Sequence, residues 1–89
     1  MDFYKFTASA IAAVVSFHNA NAELNGTQKI DIKDVYVVWC CKTLQNNKAL
    51  LATNVPDGMY YEVTYNGDKK QLYLDAYKKV HNMCIEDEG

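Results

Sequence analysis

The side chains able to do chemistry are few. There are two histidines, His18 and His81, three cysteines, Cys40, Cys41 and Cys84, and nine basic residues of which none is arginine. Hydrolysis needs a general base and a general acid near working pH, usually two histidines or a histidine with a carboxylate. A phosphoryl transition state is usually held by a guanidinium fork, which this chain lacks. His18 falls in an apolar N-terminal segment with the pattern of a removable leader, so His81 is left alone and the chain is expected not to be an enzyme. Glu62 stands among tyrosines at an alternating position, the pattern of a solvated outer-face carboxylate. Cys40, Cys41, His81 and Cys84 offer three sulfurs and a nitrogen, and the His81–Cys84 spacing suits zinc. Adjacent cysteines on a strand project to opposite faces, so neither a metal nor a cofactor is expected.

What remains is an aromatic and basic constellation: Trp39, Tyr60, Tyr73 and Tyr77 with the lysine pairs Lys69-Lys70 and Lys78-Lys79. Rings that stack on bases, beside lysines that neutralise phosphate, hold single-stranded nucleic acid. Tyrosine is equally enriched at protein interfaces. The competing reading is that the tyrosines fill the pleat of a small sheet and the lysines solubilise its edge. With a net charge of −2, a protein is the first expected partner and RNA the second.

The elements that must position these residues begin with the N-terminal segment. Lys5 precedes a mostly apolar stretch over residues 6–17 and a polar segment ending Ala20-Asn21-Ala22. That order is the layout of a secretory leader: the run falls short of the roughly 18 residues of a bilayer span, and alanines occupy the small-residue positions. The expectation is a leader over residues 1–22, cleavage before Glu23, and a secreted single domain over residues 23–89. Asp2 runs against the positive start of a leader, and the competing reading is a buried N-terminal helix of the domain itself. Asn25-Gly26-Thr27 is an acceptor triplet for N-glycosylation on a eukaryotic secretory route.

So short a mature chain buries little apolar surface and usually needs a covalent staple, which an oxidising compartment permits. Residues 30–41 are rich in β-branched and aromatic side chains and read as a strand apolar on both faces, hence central or covered twice. On it Val35, Val37, Trp39 and Cys41 share one face, and Tyr36, Val38 and Cys40 the other. Only one cysteine of the pair can reach Cys84 through the layer it faces. Cys41–Cys84 is the expected bridge, with Cys40–Cys84 the alternative. It would close a loop of about 44 residues, an effect of about 4 kcal/mol in the chain-entropy account. Residues 43–52 place Leu44, Lys48 and Leu51 at near-helical spacing and predict a short helix, ended by the turn residues Pro56-Asp57-Gly58. Residues 59–65 alternate as a strand, Asn66-Gly67-Asp68 marks a tight turn, and residues 71–77 supply a hairpin partner. The same stretch also fits a helix, with Tyr73, Ala76, Tyr77, Val80 and Cys84 at helical spacing. The expected architecture is α+β: a small antiparallel sheet packed on one short helix and stapled by a disulfide.

A leader, the aromatic and cysteines of Trp39-Cys40-Cys41, a short helix, tyrosine-rich strands and a closing Cys84 together resemble the small secreted effectors of powdery mildew fungi, in particular those similar to ribonucleases but without their catalytic residues. The resemblance implies an α+β fold, a bridge from the first-strand cysteine, here Cys41, to Cys84, and action inside a host cell by binding a host protein or RNA. The chain is shorter than such members by at least one hairpin. A second similarity, of "YYEVTYNGDKKQLYLDAY" to extracytoplasmic PepSY-type modules, implies an inhibitor or interaction module instead. A residual ribonuclease using His81 is the third reading.

Overall fold

The computed structural model describes residues 1–87. It shows an α+β protein with one helix, α1 (Phe3–Asn21), one turn of 3-10 helix (Ile32–Asp34) and four strands: β1 (Val35–Thr43), β2 (Asn46–Thr53), β3 (Met59–Asn66) and β4 (Gln71–Lys78). The strands form an antiparallel meander in chain order, β1-β2-β3-β4. The helix covers one face of it.

The segment read as a leader is the covering layer. Phe6, Ala10, Val14 and His18 recur every four residues and are buried as one stripe, the spacing that aligns side chains along one helix face. Asp2 is the N-cap, its carboxylate accepting from the Lys5 backbone N–H at 2.8 Å; such caps stabilise a helix by about 1 kcal/mol. The stripe meets Val35, Ala49, Leu51, Tyr61 and Val63 from the sheet to make the core. The far end of the helix is tied to the chain that follows. Asn19 Oδ1 accepts from the Ile30 backbone N–H at 2.7 Å, and Asn19 Nδ2 donates to the Ile30 carbonyl at 3.0 Å. His18 Nε2 lies 2.9 Å from the Gln28 carbonyl; a carbonyl only accepts, so Nε2 carries the proton. Without residues 1–22, one face of a single-layer sheet would lose its cover. No helix is long and apolar enough to cross a membrane among the described residues.

The expected hairpin over residues 59–77 forms, and its second arm is a strand rather than the competing helix. The short helix expected over residues 43–52 does not form: Thr43 ends β1, residues 44–45 turn, and residues 46–52 belong to central strand β2. Asn47, Ala49 and Leu51 are buried at alternate positions, with Ala52 and Thr53 buried together at the end, and the strand pairs on both sides. Tertiary pairing overrides a weak helical preference. Strand β1 departs from expectation twice. It is an edge rather than a central strand, and its register shifts between Val37 and Trp39. The extra residue resets the alternation, so Val35, Val37 and Cys40 face the core while Trp39 and Cys41 are exposed.

The Cys41–Cys84 staple is not formed, and Cys40, Cys41 and Cys84 are all free thiols. Cys41 lies on the β1 edge, whereas Cys84 follows β4 at the other edge. Three strand spacings, roughly 14 Å, separate the edge strands, about twice the longest Cα–Cα reach of a disulfide, so Cys84 would have to fold back across the sheet from beyond the end of β4 to meet Cys41.

Candidate binding face

Strand pleating sends alternate side chains away from the helix, and those side chains make the open face. Registers across the strands define its rows. Trp39, Leu50, Glu62 and Asp75 lie in one row, from β1 through β4. Cys41, Lys48, Thr64 and Tyr73 form the next. On the other side of the first row, Tyr36 is paired with Ala52 and Tyr60 with Tyr77. The rings are well exposed, Trp39 at 44%, Tyr73 at 48% and Tyr77 at 53%, and the Tyr73 hydroxyl donates to Gln71 Oε1.

The structure therefore places Trp39, Tyr60, Tyr73 and Tyr77, the aromatic half of the expected surface, on one face, with Tyr60 and Tyr77 as cross-strand neighbours and Trp39 at the opposite edge. The lysines do not join them. Lys69 and Lys70 lie in the β3–β4 turn, where Asn66 Oδ1 accepts the backbone N–H of Asp68 at 3.1 Å and of Lys69 at 3.2 Å. Lys78 pairs with Met59 and points to the helix side. Lys79 follows it, its N–H bonded to the Gly58 carbonyl at 2.8 Å. What the lysine pairs do not supply, the open face replaces with opposite charge. Glu62 and Asp75 stand directly across from each other, and Lys48 Nζ reaches Glu62 Oε1 at 3.4 Å. That carboxylate pair was hidden in the sequence because it depends on register. The competing use of tyrosines as pleat filler applies to Tyr61, which faces the core.

A second concavity, about 440 Å³, opens beside the end of α1 and is lined by Phe17, His18, Asn21, Asn25, Tyr61 and Lys78 among others. Tyr61 packs edge-on to Phe17, and burial pushes its phenol above the usual range, with the Asp57 carboxylate adding to the effect. Asn25, the glycosylation candidate, sits exposed on the turn after the helix, while Thr27 of the same triplet is 3.4 Å from His18 Nε2. Cys40, Cys41, His81 and Cys84 are not gathered into a metal-binding group among the described residues.

A four-stranded meander backed by one helix, with the other sheet face bare and aromatic, defines this molecule as a two-layer α+β domain. The chain belongs to a family of unknown function, DUF6275, which it matches over residues 7–87. The match takes in most of α1 together with all four strands. No curated protein and no solved structure matches it.

Proposed function

We propose that the protein acts by binding, with the open face of the sheet as the docking surface for a protein partner and with α1 retained in the working molecule. The observation that carries this reading is that Trp39, Tyr60, Tyr73 and Tyr77 all lie on the face the helix leaves bare. Large, stiff aromatic side chains contribute much contact area at small entropic cost, which is why they concentrate at interface hot spots. A protein suits the face better than RNA, because the charge at its centre is Glu62 and Asp75 and the lysine pairs lie elsewhere. Retention of α1 draws support from the buried Phe6, Ala10, Val14 and His18 and from the family match, which begins within the helix. The secreted, host-directed role would need export of the whole chain, or a different fold after cleavage at Ala22.

The test is site-specific photo-crosslinking in the producing cells, with a photoreactive residue in place of Tyr73 or, as control, of Ala8 on α1. Defined protein adducts from position 73 and none from position 8 are expected. Adducts from position 8 alone, or from neither, would overturn the proposed face. Intact mass of the functional protein reports on α1, and a chain beginning at Glu23 would refute its retention.

A further inference from the structure

Deepening the docking reading, on which it rests, we infer that the partner presents an arginine side chain to the centre of the open face. Glu62 and Asp75 are opposed across β3 and β4, an arrangement that costs stability unless a cation lies between them. Lys48 supplies part of that charge to one Glu62 oxygen. Asp75 is exposed and has no ion pair of its own among the described residues. Of the charged side chains the strands direct to this face, Lys48, Glu62 and Asp75, two are acidic, so the centre retains a negative charge.

The surroundings favour a guanidinium over an ammonium. Along β4 Asp75 has Tyr73 two residues before it and Tyr77 two residues after it, and Tyr60 is paired with Tyr77. Rings therefore flank the carboxylates at roughly 7 Å along the strands. A guanidinium stacks on tyrosine faces and bonds carboxylates through its fork, whereas an ammonium is a compact, strongly hydrated charge. Leu50 and Trp39 continue the same row with apolar surface for the stem of the side chain and its neighbours. This chain contains no arginine, so a second copy cannot provide the group. The occupant is a different protein with an arginine-bearing segment.

The probe is a capped peptide of alternating arginine and serine, compared with its citrulline counterpart, which keeps the shape and loses the charge. Backbone amide shifts of the full chain are followed by NMR. The arginine peptide should shift Glu62, Tyr73, Asp75 and Tyr77, with the citrulline form at least about tenfold weaker, the scale of a charge-assisted hydrogen bond. Glu62→Gln combined with Asp75→Asn should abolish that preference with little change in the melting temperature, since the like-charge contact and the Lys48–Glu62 pair are lost together and offset each other. Equal binding of the two peptides, or shifts confined to other surfaces, would overturn the inference. If the photo-crosslink at position 73 then persists in the doubly neutralised variant, the docking face stands and only the guanidinium falls. If position 73 gives no adduct in the unaltered chain either, both fall.

Discussion

The two faces of the sheet are built from the same four strands by alternate residues, yet they are different materials. The covered face is made mainly of small and branched aliphatic side chains, Val35, Ala49, Leu51 and Val63, with the phenols of Tyr61 and Tyr65 and the amide of Asn47 among them, closed over by Phe6, Ala10 and Val14. The open face carries rings and charges and leaves its rings about half exposed. Dense packing of the first kind holds a fold together, because every methylene removed from water contributes about 0.8 kcal/mol and every void costs. Surface of the second kind gives little to folding and is available for an interface. The contrast divides labour by parity along each strand.

The largest test of that division pits one side against the other. Phe6→Ala should cost about 3–5 kcal/mol in a denaturant melt, through lost burial and the void it leaves. Tyr73→Ala on the open face should stay within about 1 kcal/mol. Comparable losses would erase the distinction. A smaller effect concerns a flaw on the covered face, where Asn47 Nδ2 is buried without a hydrogen-bond partner among the described residues. Asn47→Leu keeps the branched shape, removes the orphaned donor, and should stabilise by about 1 kcal/mol. On the open face the corresponding flaw is electrostatic: Asp75→Asn, which removes the repulsion and leaves the Lys48–Glu62 pair in place, should add roughly 0.2–1 kcal/mol at low salt, and less as salt screens the repulsion.

The smallest effect is silent at neutral pH. Burial raises the Tyr61 phenol above its ordinary value of 10.0 in the folded chain. Between the unfolded and folded values the native state holds the extra proton, so its contribution is complete below about pH 10 and is lost as pH rises through the folded value. Unfolding followed from pH 8 to 11 should show the unaltered chain losing stability faster than Tyr61→Phe above pH 10. Parallel curves would mean that the phenol is not sheltered.

Much of the second half of the fold was legible. Alternation over residues 59–65 and the turn chemistry of Asn66-Gly67-Asp68 favour the β3–β4 hairpin by local rules, while the second arm by itself also fits helical spacing. Strand β2 was not, because Leu44, Lys48 and Leu51 sit at helical spacing among good helix formers, and only pairing with β1 and β3 decides the matter. In the N-terminal segment the apolar run was visible but its packing against the sheet was not, since small residues flanked by polar ones suit a leader and a helix packed on a sheet alike. The four-residue spacing of Phe6, Ala10, Val14 and His18 was the available hint. Parity could have separated the site residues: Tyr77 and Lys78 are neighbours on a strand and must face opposite ways. The opposition of Glu62 to Asp75 depends on inter-strand register, which no single segment encodes.

The bulge in β1 has a consequence for the adjacent thiols. With uninterrupted alternation from Val35, Cys41 would turn to the core and Cys40 to solvent; the extra residue exchanges them. Two identical nucleophiles one peptide bond apart thus act as built-in reporters, one for each side of the sheet. A maleimide added to the native protein should label Cys41 well before Cys40. With Cys84, also an exposed thiol, replaced by serine, loosening of α1 should quicken only the Cys40 reaction, whereas a partner seated on the aromatic face should slow only that of Cys41.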